Sequence, residues 1–554
     1  MAEAGSGGGA GGAEFATYEV SIGARIPTPG RSAPTDRPGA FPLLLIALFV
    51  VISAWSLATP LMGAPDEPSQ TYQAVALVRG QIDEPHYATR IGPLSVVRVP
   101  QWVLSATHLA RCFDYRPAIS GRCPLVVGSD QTIRTANTQF SNYPPLYFAW
   151  VGLPSLALSG REAFYAMRLA SALVNASLLA LGMYLLARYH PRRFPLVGAL
   201  IAITPMVLFM SAVINASGPE ISAGFASWCA GLCVIEDRDI PKMLAIWTSI
   251  AFAAFILSRP LSPVNAGVVL VVLAALAGRR RLHNLRTAPR ALTIGCAIVG
   301  AGVIAGITLL IGGSPSLLGV PRSSPLNFDA AFHAVLVREP GNLQQAVGSF
   351  GWLDTPVPHL VPGLWIALAA GVCAIGLLRT PRFLLALALL TTAIFLMPVI
   401  FEIPKINEVG TYWQGRYWLP LLVGIPLIAT AASGHRPVEW LRDVLRSPAA
   451  MAARLVGIAL VFGVIVWAQI SSFVLALHRY TTGLGRPAGT PIEWTPPGGV
   501  VPVVTAFTVG ELVLVGVLAW LVVRPDPADP HRGGVRRLPQ HRHSRRPEPV
   551  KARV

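Results

Sequence analysis

Charged side chains are scarce in this chain. Asp, Glu, Lys and Arg together make up 13% of its 554 residues, whereas about 25% is usual in soluble domains, so the composition excludes an ordinary soluble domain. Acidic residues are fewer than basic residues, with 27 Asp and Glu against 44 Lys and Arg. The net charge of +17 favours anionic lipid head groups as partners, and nucleic-acid binding is the weaker interpretation.

Cysteine is also scarce, with six residues, and no Cys and His spacing indicates zinc. Cys112 and Cys123 lie in the first polar loop, and the extracytoplasmic side of a membrane permits disulfides. We therefore expect a bridge between them that fixes a loop too polar to form its own core. The other four cysteines lie in apolar runs, where a thiol behaves as a small hydrophobe: Cys229, Cys233, Cys296 and Cys373.

Apolar residues, in contrast, are abundant and occur in long runs. They make up 53% of the chain, and crossing the hydrocarbon core takes about 17–25 apolar residues. The sequence therefore predicts an all-α polytopic integral membrane protein with about twelve transmembrane helices, several of them short. The cores of the predicted spans are Phe41–Met62, Ala163–Ala187, Pro195–Ile214, Ile221–Ile235, Met243–Leu257, Val264–Ala277, Ala291–Ile311, Leu360–Leu378, Phe383–Phe401, Trp418–Ala432, Leu455–Leu475 and Val503–Val523.

The segment Leu146–Leu158 decides the topology. If it spanned the membrane, the arginine clusters after the next spans would lie outside, which inverts the positive-inside bias of short loops. If it lies along the membrane surface, these clusters are cytoplasmic. We adopt the second layout, with a long extracytoplasmic first loop that carries interfacial helices. The clusters are Arg188, Arg192, Arg193, Arg279, Arg280, Arg281, Arg286 and Arg290.

This layout makes the chain a multi-pass protein of the plasma membrane with both termini in the cytoplasm. Residues 1–39 are rich in Gly, Ala, Ser and Pro, and residues 526–554 are rich in Arg, His and Pro. Neither arm can bury a core, so we expect both to be disordered. Residues 40–525 form the transmembrane domain, with residues 63–162 as its first loop. No cleavage site precedes Pro60, so the first apolar run is expected to be a permanent anchor.

Two adjacent carboxylates, Asp66 and Glu67, follow the first apolar run between Pro65 and Pro68. Acidic groups at the membrane edge are costly to desolvate and are functional candidates by default. The competing interpretation is a loop that ends a helix, because Asp and Glu beside proline are common in turns.

Other polar and aromatic residues collect in the loops expected on the same face. Glu220 begins a predicted helix, so capping of that helix competes with a functional role for its carboxylate. Arg259 ends a span, where an arginine usually extends to the membrane interface, and this competes with phosphate binding. Arg416 stands among aromatic residues, and its rigid fork suits bidentate phosphate recognition. Further candidates in these loops are Tyr143, Trp352, Asp354 and Gln414.

Four elements resemble those of an uncharacterised family of predicted bacterial membrane proteins that is frequent in actinobacteria. That family is in turn similar to the GT-C superfamily of integral membrane glycosyltransferases. The chain departs from the resemblance at Gln70, where a His is expected, so a His-dependent step is in doubt. The elements, spread over roughly residues 40–525, are Pro65-Asp66-Glu67-Pro68, Tyr143-Pro144-Pro145-Leu146, Phe350-Gly351-Trp352-Leu353-Asp354 and Gln414-Gly415-Arg416-Tyr417.

The resemblance implies a polyprenyl-phosphate sugar as donor and a cell-envelope glycan or lipid as acceptor. It implies Asp66 as the general base that deprotonates the acceptor hydroxyl, with Glu67 as the alternative. Arg416, or secondarily Arg259, would stabilise the phosphate leaving group. A single base predicts inversion at the anomeric carbon. The remaining expected substrate-binding residues are Tyr143, Trp352, Asp354, Gln414 and Glu220.

No cofactor is required by this chemistry. Asp66 and Glu67 could join Glu220 or Asp354 around Mg²⁺ or Mn²⁺ through oxygen ligands, but no ligand spacing demands a metal. A transporter or flippase of a lipid-linked sugar is the rival class, since twelve spans fit many carriers. Carriers often contain an internal repeat of two halves, which this sequence lacks, and a purely structural membrane protein is the third interpretation.

Overall fold

The computed structural model describes residues 39–82, 86–89, 92–237, 239–312, 317, 319–377, 381–432, 448–487 and 489–523. Apart from Gly39, the two expected terminal arms lie outside the described residues. Of the two units Met1–Thr35 and Asp36–Val554, only the second contains described residues. Its described residues are mostly helical.

The described helices are numbered in chain order. They are α1 (Ala40–Ala58), α2 (Glu67–Leu77), α3 (Gln101–Thr107), α4 (Pro145–Gly152), α5 (Pro154–Ala157), α6 (Gly160–Tyr189), α7 (Pro195–Ala202), α8 (Pro205–Ala212), α9 (Ser217–Glu236), α10 (Lys242–Ile256), α11 (Ser262–Thr287), α12 (Pro289–Gly312), α13 (Phe328–Leu336), α14 (Glu339–Gly348), α15 (Leu360–Leu377), α16 (Pro381–Glu402), α17 (Ile406–Val409), α18 (Leu419–Leu422), α19 (Gly424–Ala432), α20 (Pro448–Thr481) and α21 (Val500–Val523).

Among the described residues, eight helices are long and apolar enough to cross a membrane: α1, α6, α11, α12, α15, α16, α20 and α21. Helices α7 and α8, bent by 62°, make a ninth span if they are counted as one. The prediction of an all-α polytopic membrane protein is confirmed. The predicted number of twelve spans is not confirmed, because α10 and the Leu419–Ala432 segment are short and α9 begins with polar residues.

The bundle has two ends with different chemistry. At one end, Arg281 donates to the carbonyl of Val234 at 2.7 Å, Arg290 donates to Ile240 at 2.7 Å and Arg382 donates to Ala277 at 3.4 Å. Cationic side chains at helix C-termini satisfy the last free carbonyls. We call this the basic end; the beginnings of α6, α9 and α11 lie at the other end.

The core of the bundle forms around Trp55 on α1, whose side chain is completely buried. Its indole contacts the rings of Phe209 at 5.7 Å, Phe350 at 4.7 Å and Phe473 at 5.0 Å between centroids. Helix α1 packs between α6 and α21. At Gly510 of α21 an added Cβ would lie 2.9 Å from a methyl group of Val51, so a small residue permits the close approach of these helices.

The first loop contains most of the β structure. Strands β1 (His86–Thr89), β2 (Gly92–Pro100) and β3 (Ile133–Thr138) form an antiparallel sheet, in which Val97 pairs with Ala136. Strands β4 (Ser349–Phe350) and β5 (Thr355–Pro356) form a separate hairpin.

The segment Leu146–Leu158 does not form a span in the described structure. It is divided between α4, of eight residues, and α5, of four residues. At 1.5 Å per residue neither helix can cross about 30 Å of hydrocarbon. Its apolar side chains Leu146, Trp150, Leu153 and Leu156 are exposed, which fits the expected position along the membrane surface.

Candidate active site

The two adjacent carboxylates point into different environments. Helix α1 ends at Ala58, and Asp66 takes a left-handed backbone conformation with φ 63° just before α2 begins at Glu67. The side chain of Asp66 is 29% exposed, whereas that of Glu67 is 1% exposed. Only Asp66 is therefore accessible to a substrate.

Glu67 forms a buried ion pair with Arg168 of α6. Nε and Nη2 of Arg168 each donate to one oxygen of Glu67 at 2.7 Å. The remaining donors of the guanidinium go to the carbonyls of Ser56, Thr59 and Pro60 at 2.6 to 3.0 Å. The arrangement leaves Glu67 no free face, so the expected catalytic role for Glu67 has no geometric support. Its geometry instead fixes the end of α1 against α6.

The loop between α8 and α9 holds the same segment from another side. Asn215 donates from its side chain to the carbonyl of Pro65 at 2.9 Å. The backbone N–H of Ala216 donates to Oε1 of Gln70 at 2.7 Å. Gln70, which stands where the resemblance expects a histidine, thus positions the segment that carries Asp66.

Asp66 pairs with Arg416, which comes from the loop after α17. Nη2 of Arg416 donates to Oδ2 of Asp66, and the arginine side chain is 2% exposed. Burial opposes the charge of Arg416, but Tyr417 and Asp66 outweigh it, so the pKa of Arg416 is raised. The site thus contains a partly exposed carboxylate in contact with a permanently charged guanidinium.

The loop that carries Arg416 is fixed by α14. The N–H of Gly415 donates to Oε1 of Gln345 at 3.1 Å. A Cβ on Gly415 would lie 2.1 Å from the carbonyl oxygen of Asn342, so only glycine allows this approach. The glycine in Gln414-Gly415-Arg416-Tyr417 is therefore needed for the close packing of this loop against α14.

Several buried polar atoms of this loop lack a hydrogen-bond partner within the described residues. Buried polar groups are almost always paired, so each exception needs an explanation such as a bound ligand or water. Here they lie on neighbouring residues of one loop, whose Arg416 contacts Asp66. The atoms are Nε1 of Trp413, Oε1 of Gln414, Nε and Nη1 of Arg416, and Nε1 of Trp418.

A second guanidinium flanks the same tyrosine ring. The Cζ atoms of Arg259 and Arg416 lie 4.8 and 5.1 Å from the ring centre of Tyr417. Arg259 lies 5.9 Å from the ring of Tyr143 as well, and burial raises the pKa of Tyr143, which keeps its hydroxyl protonated. Two positive charges therefore meet at one aromatic surface.

Glu220 neutralises Arg259. Its Oε2 accepts from Nη1 of Arg259 at 2.9 Å, and its Oε1 accepts from Ser262 at 2.9 Å and from Asn265 at 3.0 Å. The carboxylate is 1% exposed. Glu220 is thus enclosed and holds α9, α10 and α11 together, so its expected contact with substrate has no geometric support.

The Phe350-Gly351-Trp352-Leu353-Asp354 turn contacts the segment between α1 and Asp66. Nε1 of Trp352 donates to the carbonyl of Met62 at 3.1 Å. Asp354 is paired with Arg479 of α20 at 2.9 Å, and its side chain is 6% exposed. Trp352 therefore remains a substrate-binding candidate, while Asp354 serves to neutralise Arg479.

Tyr115 completes this side of the site. It belongs to the loop closed by the disulfide between Cys112 and Cys123, whose Cα atoms lie 5.6 Å apart. Its ring is 69% exposed and lies 5.6 Å from the ring of Trp352. Burial and the nearby charge of Asp66 raise the pKa of Tyr115, so its phenol stays protonated.

Backbone strain concentrates at this site. Within the described residues, the non-glycine residues with positive φ are Met62, Asp66, Tyr115 and Leu353. Such conformations cost free energy, are sparsely populated and cluster at active sites. All four residues are in, or directly connected to, the contacts around Asp66 and Trp352.

A metal cage does not form here. The described residues contain no group of three or more His, Cys, Asp and Glu side chains that could hold an ion. Asp66, Glu67, Glu220 and Asp354 each pair with a different arginine. The carboxylates therefore do not converge, and the expectation of Mg²⁺ or Mn²⁺ coordination by them is not supported.

The sequence interpretation missed several residues of the site. Arg168 carried a usable signal, because an arginine inside an apolar run is costly unless it is paired. Arg479 and Tyr115 carried none that separates them from ordinary interfacial residues. Their importance appears only in their contacts.

Comparison with known proteins places the chain in a family. The model of DUF2142, described as a predicted membrane protein, matches residues 48–425. The chain therefore belongs to the DUF2142 family. Arg479 lies beyond the matched residues. Among curated proteins, no match was found.

Solved structures of ArnT from Cupriavidus metallidurans are similar at 13% identity. The apo structure has a TM-score of 0.37 and covers 88% of this chain and 78% of its own. The structure bound to undecaprenyl phosphate has a TM-score of 0.38, with 87% and 77% covered. TM-scores of this size carry no argument about the function of this chain.

Proposed function

We propose that this chain is a membrane glycosyltransferase that moves a sugar from a polyprenyl-phosphate donor to a cell-envelope glycan or lipid acceptor. The observation that carries the proposal is the contact between Asp66 and Arg416. It joins a general base to a phosphate-binding group at the end of a membrane span. A carboxylate and an anion-binding arginine are the two parts that this transfer needs.

In the proposed reaction an acceptor hydroxyl oxygen attacks the anomeric carbon of the donor sugar. The proton of the hydroxyl passes to Asp66 as the new glycosidic bond forms. The bond between the anomeric carbon and the phosphate oxygen breaks, and its electron pair stays on the phosphate. One displacement with one base inverts the anomeric carbon. The enclosed position of Glu67 supports this single-base route.

Arg416 and Arg259 would stabilise the charge that develops on the leaving phosphate. Prearranged cations in a site that excludes water are more effective than the same charges in solvent. Within the described part of the chain, Nε and Nη1 of Arg416 have no hydrogen-bond partner, so they remain as donors for phosphate oxygens. The half-buried Trp352 and the exposed Tyr115 offer ring surface for the sugar.

The distribution of charge supports an extracytoplasmic location for the site. Arg281, Arg290 and Arg382 lie at the basic end, and the positive-inside rule favours a cytoplasmic location for that end. Asp66 lies at the opposite end, because α6 runs from Arg168, which binds Glu67, to Arg188. A carrier would instead need its substrate groups near the middle of the membrane.

The test is transfer from a panel of labelled polyprenyl-phosphate sugars in membranes that contain the full chain. We expect Asp66→Asn to abolish transfer at unchanged protein abundance. Asp130→Asn is the matched control, because Asp130 lies in the same loop and caps Thr132 at the surface. Normal turnover by Asp66→Asn would overturn the proposal, as would uptake or flipping of a donor without transfer.

A further inference from the structure

A separate cavity of about 280 Å³ lies beside the candidate active site. Its walls come from the end of α1, the segment after the disulfide, the first turns of α6 and the loop before α21. Cys123 is part of the wall, so the disulfide fixes one side of the cavity. The residues that matter for the argument are Pro60, Leu61, Arg122, Arg161, Tyr165 and Trp494.

The charge of this cavity is of one sign. Arg122 and Arg161 line it, and no Asp or Glu side chain does. Neither guanidinium forms an ion pair with a carboxylate of the described residues. The arginines of the active site behave differently, because Arg168, Arg259, Arg416 and Arg479 each pair with a carboxylate. Two exposed guanidinium groups without a carboxylate partner among the described residues attract an anion to this concave site.

The remaining lining is apolar and aromatic. The indole of Trp494 packs beside Gly121, where an added Cβ would lie 3.4 Å from the indole. Its ring also contacts Tyr480 at 6.2 Å between centroids. Rings and guanidinium groups together suit a ligand that has both a carbon-rich face and a negative charge, as an acidic sugar has. The volume is close to the lower end of small-molecule sites, about 300–1,000 Å³.

Two contacts connect this cavity to the segment that carries Asp66. The hydroxyl of Tyr480, whose ring touches Trp494, donates to the carbonyl of Gly63 at 3.0 Å. Pro60, which lines the cavity, accepts from Arg168 at 2.8 Å. The cavity therefore borders the turn that presents Asp66, as a subsite for a second substrate would.

We infer that the cavity lined by Arg122, Arg161 and Trp494 binds an anionic group, a carboxylate or phosphate, carried by the acceptor. This inference rests on the proposed transferase function and specifies the acceptor class that it uses. A saccharide with acidic sugars and a lipid with an anionic head group share this chemistry.

The test measures binding rather than turnover. The full chain in phosphatidylcholine nanodiscs is titrated with trigalacturonate and, separately, with neutral maltotriose. We expect the chain to bind trigalacturonate more tightly, and Arg122→Gln/Arg161→Gln to weaken this binding about tenfold or more. Arg134→Gln, exposed on β3, is the control and should bind as the unchanged chain does.

Nanodiscs that contain phosphatidylglycerol distinguish the two sources of the anion. If a lipid head group occupies the cavity, these discs should suppress trigalacturonate binding, and Arg122→Gln/Arg161→Gln should remove the suppression. If an acidic saccharide is the ligand, the lipid should have no effect. Equal affinity for maltotriose and trigalacturonate, or full binding by the double variant, would overturn the inference.

Different experimental results would overturn this inference and the proposed function. Asp66→Asn should bind trigalacturonate normally and transfer no sugar. Normal transfer by Asp66→Asn would remove the transferase proposal while the binding result stands. Loss of charge-selective binding would remove the acceptor inference while the requirement for Asp66 stands.

Discussion

Arg416 donates a hydrogen bond to Asp66 across a sequence separation of 350 residues. The proposed phosphate-binding group and the proposed base are therefore in direct contact. A lipid phosphate bound at Nε and Nη1 of Arg416 would weaken the hold of the guanidinium on Asp66 and so favour proton transfer to the carboxylate. The two residues should therefore not behave independently.

The first prediction concerns Arg416. Arg416→Ala should lower kcat/KM for the lipid-phosphate donor about 10²- to 10³-fold, as removal of a transition-state donor does elsewhere. Arg416→Lys should retain part of the activity, because lysine keeps the charge but not the planar fork. Transfer kinetics at varied donor concentration measure both. Arg134→Ala is the control, and an unchanged donor dependence of Arg416→Ala would reassign Arg416 to anchoring.

The second prediction concerns the buried pair of Glu67 and Arg168. Glu67→Gln should destabilise the fold by about 3–5 kcal/mol, because it leaves a buried guanidinium without its counter-charge. Thermal or denaturant unfolding of the purified protein in detergent measures the loss. Asp114→Asn breaks an exposed pair with Arg116 and should cost less than about 1 kcal/mol. Equal stability of the two variants would contradict the structural role of Glu67.

The third prediction concerns the disulfide loop that carries Tyr115. Cys112→Ser/Cys123→Ser should lower stability by roughly 2–3 kcal/mol, since the bridge closes a short loop. Proteolysis within the loop should accelerate and sugar transfer should fall. Cys296→Ser, at an exposed free thiol, is the control. Arg479 also holds this loop, because it donates to the carbonyls of Phe113 and Ile119 at 2.8 Å. If the double variant showed the proteolysis rate and sugar transfer of the unchanged chain, these hydrogen bonds would suffice to hold the loop without the disulfide.

The fourth prediction is a dependence of stability on pH. Burial, reinforced by Glu402 and opposed by Arg338, raises the pKa of Glu339 from 4.5 to about 7, and both of its oxygens lack a partner among the described residues. The folded state therefore binds the proton more tightly than the unfolded state does. Stability from this group is present at pH values below 4.5 and is lost as the pH rises to about 7.

Melting temperatures in detergent across that pH window measure the effect. Glu339→Gln should flatten the dependence, because the amide is neutral at every pH. Glu408→Gln, at an exposed carboxylate paired with Lys405, should leave the dependence as it is. A slope that persists in Glu339→Gln would assign the titration to another group.

The sequence singled out candidate residues for the site but not the partners of those residues. Asp66 and Arg416 were recognisable because one is an acid at the end of a span and the other an arginine among aromatic residues. Glu67 was the alternative base, and Glu220 and Asp354 were substrate-binding candidates, yet each of the three pairs with an arginine. Nothing local distinguishes a carboxylate that faces substrate from one that neutralises a buried guanidinium.

By itself the sequence determined that this chain is a helical membrane protein, because the length and hydrophobicity of a span are local properties of a run of residues. It also determined where polar chemistry interrupts those runs. Only the tertiary structure decided that Asp66 meets Arg416 while Glu67 meets Arg168, and that Tyr115 reaches Trp352. Those contacts depend on how helices distant in sequence pack together and on which charged side chains are paired when they are buried. No local sequence pattern encodes the choice of partner.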